Sequence, residues 1–468
     1  MLGSNYNSRD QLETLINDYL CMSQKGTVVF TEEAVVFAIT KFFHEEDNLE
    51  DALLVISQGI EQFPNSARLI AYKATLLMEQ GQDTEVILRY LDQALLIAPL
   101  DSRILLVKAE VLHNAEHFEE ALSTLSLLKT FASSNELEKA FLLESYIYDK
   151  NEEYEPMFDA LSRTLRINPR NQEALLQMWL AISLTERHEE SIALHEAIID
   201  EDPYSYQAWL NLAHTYCEMQ RFDEAIEAFE YAIVANEDYS FSYEDCAMAC
   251  LQAGRFEKAL ELYQDIEQRF GSNAESATKI GLCHQQTENY LAALTWYHRA
   301  LIQDKNNPEA HFHIGECLMV QGDYSNAIKA FNRAISIAGQ FEEYHLALAR
   351  TYEKDGQLEN AEAAYYKLIE VAPERTEHWL YHVNFLRNNQ GFEAALEVLD
   401  EAEMNISRNA DLLYSRVICL FQMGNRNEAL NFLQEALAQD FALHGVIFQE
   451  LPHLEKDKDV LDLIRVYR

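Results

Sequence analysis

The amino-acid sequence predicts an all-α protein built from about twelve repeated helix pairs. Glycine and proline number 14 and 8 among 468 residues, too few turn-forming residues for a large β-sandwich or barrel. Hydrophobic residues make up 48% of the chain, including 24 Tyr and 23 Phe, which is enough apolar surface for a folded core. The most specific of the three observations is an internal repeat with a period of 34 residues.

Alanine marks the repeat. Four residues after each of seven evenly spaced alanines comes a large apolar residue, as Phe229 follows Ala225, and seven residues after comes a small or apolar one, such as Ala232. Because residues at spacings of four and seven share one face of an α-helix, this pattern predicts the second helix of each unit. The seven alanines are Ala225, Ala259, Ala293, Ala327, Ala361, Ala395 and Ala429.

A first helix is predicted upstream of each alanine. Twelve residues before it stands a small or compact residue, such as Ala213, Gly281 or Gly315, and sixteen before it a large one, such as Trp209. Small residues allow two helices to approach closely, and aromatic side chains fill the space beside them. Each unit is therefore predicted to be a helix-turn-helix.

The segment from Trp209 to Ala232 has the spacing W-x2-L-A-x2-Y followed by A-x3-F, and it resembles the tetratricopeptide repeat (TPR) family. The resemblance implies a right-handed α-solenoid, a superhelix of about twelve 34-residue repeats. It also implies a non-catalytic scaffold or adaptor that binds other proteins. The closing proline of the family pattern is replaced by Glu237 in one repeat. In five others it is present, as Pro64, Pro99, Pro169, Pro203 and Pro373.

The repeats divide the chain into three parts. We expect an N-terminal helical cap at 1–32, the TPR solenoid at 33–443 and a C-terminal capping helix at 444–468. Repeats two and four are irregular, since each contains a small insertion and repeat four has Met157 in place of the marker alanine, just after Pro156.

The acidic composition limits the partners. Lys plus Arg is 36 and Asp plus Glu is 78, a net charge of −42. A nucleic-acid binder needs a basic face to displace counterions from phosphate, and an anionic membrane surface would repel this chain. We therefore expect no nucleic acid and no membrane insertion, but a protein or peptide with an apolar or basic segment. The alternative is that the charge only maintains solubility.

The sequence also predicts a cytoplasmic chain. Residues 1–20 lack a basic start followed by an apolar core, and no stretch of about 18 apolar residues could span a bilayer. The seven cysteines are an odd number in a long chain, unlike a disulfide framework.

No catalytic or cofactor motif stands out. The patterns GxxxxGK[ST], GxSxG, HExxH and GxGxxG do not occur, so we expect neither an enzyme nor a bound cofactor. Cys246 and Cys250 lie one helical turn apart and could hold a metal together with Cys283 or His284. Their repeat positions are those of packed apolar residues, which favours a core role and no metal site.

The resemblance implies that the first helices line a concave groove, chiefly through repeat positions 2, 5, 9, 12 and 13. These positions form a partly apolar trough suited to a helix or extended peptide. One alternative function is an assembly or chaperone-like factor that holds apolar client segments transiently. A structural alternative is that the position-5 side chains pack within the superhelix. The candidate groove residues are Gln207, Leu210, His214, Phe241, Met248, Phe312, Met319, Leu346, Arg350, Leu380 and Asn384.

Overall fold

The structure, a computed structural model, describes residues 9–24 and 28–467, and all regular structure within these ranges is helical. Residues 1–8 and 25–27 of the predicted N-terminal cap, and residue 468, lie outside the described residues. The helices are α1 Arg9–Gln24, α2 Glu33–Glu45, α3 Leu49–Gln62, α4 Ala67–Glu79, α5 Thr84–Ile97, α6 Ser102–Asn114, α7 Phe118–Leu128, α8 Ser134–Lys150, α9 Tyr154–Ile167, α10 Gln172–Thr185, α11 His188–Glu201, α12 Tyr206–Glu218, α13 Phe222–Ala235, α14 Ser240–Gln252, α15 Phe256–Arg269, α16 Ala274–Gln286, α17 Tyr290–Gln303, α18 Pro308–Val320, α19 Tyr324–Ile337, α20 Glu342–Lys354, α21 Leu358–Val371, α22 Thr376–Asn389, α23 Phe392–Asn405, α24 Ala410–Gln422, α25 Arg426–Gln439, α26 Gly445–Glu450 and α27 Lys458–Tyr467.

Helices α2 to α25 form twelve consecutive pairs in the described part of the chain, which confirms the predicted all-α array of about twelve repeats. The chain divides into two compact units, Met1–Ser242 (unit 1) and Tyr243–Arg468 (unit 2). None of the helices in the described ranges is both long enough and apolar enough to cross a membrane.

Close helix approach at small residues holds each pair together. A Cβ atom added to Gly315 would lie 2.6 Å from the Phe331 ring, and one added to Gly281 would lie 2.5 Å from the Tyr297 ring. Both rings are fully buried, as is the marker Ala327. The small residues therefore let the aromatic side chain of the second helix occupy the space between the two helices.

Turns and N-cap side chains set the ends of the helices at positions that the sequence indicates. The five closing prolines lie in the turns that follow second helices, because proline cannot continue a helix. Several first helices begin at an N-cap side chain: Asn171 accepts a hydrogen bond from the Ala174 amide, and Asn307 from the Ala310 amide. The insertion in repeat four lengthens α8 to 17 residues, and Met157 is buried at the marker position.

The two ends pack onto the array differently. In α1, Tyr19 is buried against Phe30 and Phe43, with ring centroids 6.1 Å apart in both pairs. At the other end, both guanidinium nitrogens of Arg426 donate to Asp457 at 2.6 Å. This paired contact connects the start of α25 to the residue just before α27, and it lowers the pKa of Asp457 to about 2.

Candidate functional site

The predicted groove residues of unit 1 differ in accessibility. Leu210 is 3% exposed and packs in the interior, so it offers no surface to a ligand. The His214 ring lies against that of Trp179, with centroids 4.6 Å apart. Gln207 lines a cleft of about 220 Å³ between α10 and α12. Phe241 is 58% exposed.

The predicted residues of unit 2 are mainly packing residues. The ring of Phe312 stacks on Tyr344 at a centroid distance of 4.7 Å. Met248 is 39% exposed and lines a cavity of about 170 Å³, whereas Arg350 and Asn384 are exposed. Four of the residues are half-buried against one core cluster, namely Phe312, Met319, Leu346 and Leu380.

An open groove of about 520 Å³ lies along the first helices of four successive repeats in unit 1. Its walls come from α4, α6, α8 and α10, and we call it the α4–α10 groove. None of its lining residues is among the candidate groove residues, although Met78, Glu110 and His113 stand at repeat positions expected to line the groove. Its lining residues include Met78, Glu110, His113, Leu142, Tyr146 and Glu173.

The α4–α10 groove disfavours charge. Burial raises the pKa of Glu110, an effect that Lys139 partly offsets. Burial, with a smaller contribution from Lys150, lowers the pKa of His113. The His113 Nδ1 atom is buried and has no hydrogen-bond partner among the described residues. Since both groups are displaced toward their neutral forms, the groove is better suited to apolar side chains than to a strongly charged ligand.

Helix α10 continues this groove as an exposed apolar stripe. Leu176, Leu180 and Leu184 are 58%, 42% and 50% exposed. They follow Glu173 of the groove wall at spacings of three and four residues, which places all four on one helix face. Trp179 beside them is 37% exposed. Four accessible large apolar residues on a single helix are unusual for a surface with no partner.

The exposed leucines stand at repeat positions that were expected to line the groove. Leu176 is at position 5, and Leu180 and Leu184 follow it at positions 9 and 13. Trp179 stands twelve residues before Ser191, where the other repeats place a small or compact residue such as Ala213. Its ring lies against that of His214, and α10 packs against α9 and α12.

A buried polar network lies among three helices of repeats five and six. His195 takes the position of the usual aromatic residue and is fully buried, and burial lowers its pKa to about 4. Its Nδ1 lies 2.8 Å from the Ser191 carbonyl and its Nε2 lies 3.2 Å from Asn211 Nδ2. Asn211 also donates to the Leu175 carbonyl at 2.8 Å. These bonds connect α10, α11 and α12.

Unit 2 contains a second polar network on its first helices. His313 Nδ1 lies 2.8 Å from Glu316, its Nε2 lies 3.8 Å from Glu309, and Lys279 donates to Glu309 at 2.8 Å. Burial lowers the pKa of His313, but the two carboxylates outweigh burial and leave it above its ordinary value. The contact with His313, followed by that with Lys279, holds the pKa of Glu309 at about 2.

The cysteines considered as metal ligands are core residues. Cys246, Cys250 and Cys283 are all fully buried, and burial raises the pKa of the Cys283 thiol to about 12, so it stays protonated. Among the described residues, no group of three or more His, Cys, Asp or Glu side chains is placed to hold a metal ion.

These helix pairs and the grooves between them define a helical-repeat protein. Two family models match its sequence: "Tetratricopeptide repeat" over residues 184–240, and "Cilia and flagella-associated protein 70 middle TPR-like domain" over residues 269–403. Both matched segments therefore contain tetratricopeptide-type repeats, as the sequence motifs indicated.

Similarities to individual proteins have low sequence identity. Anaphase-promoting complex subunit 3 of Schizosaccharomyces pombe (strain 972 / ATCC 24843) is 23% identical over 150 residues, which cover 32% of this chain and 23% of that protein. The chain therefore matches less than a quarter of that relative's length. Among solved structures, the APC/C hetero-tetramer Cut9–Hcn1 is 12% identical with a TM-score of 0.39, covering 88% of this chain and 97% of that one. YrrB, described as a TPR protein with an unusual peptide-binding site, is 17% identical with a TM-score of 0.31, covering 39% and 95%.

Proposed function

We propose that the chain is a non-catalytic protein-interaction scaffold that binds a peptide or helix of a partner protein in the α4–α10 groove and on the α10 stripe. The supporting observation is the exposed row of Leu176, Leu180 and Leu184, continuous along one helix with the groove wall at Glu173. An amphipathic helix or an extended segment with apolar anchors fits such a surface. We propose this surface, rather than the predicted set of groove residues, as the main contact region.

The groove chemistry supports an apolar occupant. Burial raises the pKa of Glu110, which favours a ligand with apolar side chains. The buried Nδ1 atom of His113 has no hydrogen-bond partner among the described residues, so it favours a ligand that also brings a hydrogen-bond donor or acceptor. Binding would cover the exposed leucines of α10.

The test is capture of partners from native lysate with the wild-type chain and a Leu180→Glu plus Leu184→Glu variant. Both side chains are exposed, so the substitutions alter the surface with little change in the core. A control variant, Leu96→Glu plus Leu291→Glu, changes two leucines of second helices that are 84% and 76% exposed. We expect a small set of proteins that the stripe variant loses and the control retains.

The captured peptides would then be synthesised and their affinities measured for all three chains. Direct binding that the stripe variant weakens by about tenfold or more, roughly 1.4 kcal/mol, would support the proposal. Equal binding to the stripe variant and the wild type would contradict it. A broad set of short-lived clients would favour the chaperone-like alternative.

A further inference from the structure

Unit 1 contains a second open cleft, formed by α11, α12 and α13 rather than by the first helices. It has a volume of about 640 Å³, and we call it the α11–α13 cleft. Three aromatic residues, Trp209, Tyr216 and Tyr231, contribute to its lining. The Trp209 and Tyr231 rings are stacked with centroids 4.5 Å apart and planes inclined by 24°.

The aromatic pair is held in place and remains accessible. Trp209 Nε1 donates to the Pro203 carbonyl at 2.9 Å, which fixes the indole ring. Tyr231 is 49% exposed. A fixed and accessible ring surface can accept a ligand at low entropic cost, because little side-chain freedom is lost on binding.

Carboxylates surround these rings. Glu196 and Asp200 on α11 and Glu227 on α13 line the cleft and are exposed. In the part of the chain that the structure describes, none of these three carboxylates has an ion-pair partner within 4.0 Å. The Coulomb attraction of three uncompensated carboxylates favours a cationic ligand at this place.

A cation already contacts two lining residues of the cleft. The Arg221 guanidinium lies 4.6 Å from the centre of the Tyr216 ring and donates to Glu224 at 2.9 Å. The guanidinium therefore combines a ring face and a carboxylate in a single contact. The Trp209–Tyr231 pair and the carboxylates of α11 and α13 supply the same two groups without a cation from the described residues.

We propose that the α11–α13 cleft binds a basic segment of a partner protein, with an arginine side chain placed against the Trp209–Tyr231 pair and between the carboxylates of α11 and α13. Arginine is favoured over lysine because its planar guanidinium stacks on aromatic rings and forms paired hydrogen bonds with carboxylates. The site is distinct from the α4–α10 groove, so the scaffold would hold two partner segments of different chemistry.

The test uses a fluorescently labelled hexapeptide of alternating arginine and alanine, titrated into the full chain at low ionic strength and followed by anisotropy. Tyr231→Leu keeps an apolar side chain but removes the ring, and we expect binding about 5-fold weaker. Tyr231→Phe keeps the ring and should bind as the wild type does. The corresponding lysine peptide should bind more weakly than the arginine peptide.

A matched control is needed to separate the cleft carboxylates from the general attraction of a basic peptide, because the whole chain is acidic. Glu196→Gln plus Asp200→Asn should weaken binding by about tenfold at low salt. The variant Glu359→Gln plus Glu374→Gln removes two exposed carboxylates of unit 2 and should change affinity less than about twofold. Equal weakening by both double variants, or unchanged binding by Tyr231→Leu, would overturn the proposal. The Leu180→Glu plus Leu184→Glu variant should keep cleft binding, which separates this result from the groove test.

Discussion

Replacing Asn211 by leucine tests the polar network that joins α10, α11 and α12. Asn211 is fully buried, and its Nδ2 atom donates to the Leu175 carbonyl at 2.8 Å and lies 3.2 Å from His195 Nε2. Leucine has a similar size but cannot donate. The substitution therefore leaves His195 Nε2 without a partner and removes the second hydrogen bond of the Leu175 carbonyl, which keeps its bond within α10, and it creates no large cavity.

The magnitude follows from those two acceptors. Leaving His195 Nε2 without a hydrogen bond costs about 1–3 kcal/mol, and losing the second bond of the Leu175 carbonyl costs about 1 kcal/mol. The larger apolar side chain of leucine offsets about 1 kcal/mol of this loss. We expect a net loss of about 2 kcal/mol in the free energy of unfolding, confined to unit 1 because repeats interact mainly with their neighbours.

Urea unfolding followed by circular dichroism, with hydrogen exchange measured along the chain, provides the assay. The Asn211→Leu variant should show earlier unfolding and faster exchange of amides in α10 to α12. Asn384→Leu is the control, since Asn384 is exposed and its replacement should change stability by less than about 0.5 kcal/mol. An unchanged unfolding midpoint together with unchanged exchange in α10 would refute the reasoning.

Three further predictions concern other parts of the array. Gly315→Ala should destabilise unit 2 by about 1 kcal/mol in thermal unfolding, because the new Cβ would lie 2.6 Å from the Phe331 ring and this overpacking exceeds the gain in helix propensity. Combining Gly315→Ala with Phe331→Leu should recover part of the lost stability. Full stability of the Gly315→Ala variant would contradict this prediction. Because the pKa of His313 is raised in the folded chain, protonated His313 stabilises the fold at low pH, and this stabilisation is lost as the pH rises above about 6.5 through the folded-state pKa. The urea midpoint of the wild type should therefore fall across this pH range. His313→Gln should remove the part of this pH dependence that His313 causes. Arg426→Ala should release the C-terminal segment, because Asp457 loses both of its 2.6 Å contacts, and limited proteolysis should then cut near α27 before the repeats.

The repeat architecture could be predicted because it rests on local and periodic requirements. The marker alanines are buried wherever two helices cross, as at Ala225 and Ala327, and close packing admits only small residues there. The prediction that glycine admits a neighbouring aromatic ring is confirmed by Gly315 and Phe331. Such rules act within one helix pair, so a single sequence reveals them.

The candidate site was harder to predict because exposure depends on how each helix is rotated and on what packs against it. Leu210 and Leu176 share repeat position 5, yet Leu210 is 3% exposed and Leu176 is 58% exposed. Residue spacing is the same at both positions, so it does not distinguish a side chain that packs between helices from one that stays accessible to a partner.

The 34-residue period, the helix ends and the small-to-large packing were therefore encoded in residue order alone, since each depends on side chains a few turns apart. Which repeat positions remain open to a partner was decided only when the helices packed. In repeat five the face of α10 at the predicted groove positions stayed exposed, whereas Leu210, at position 5 of the next repeat, became buried.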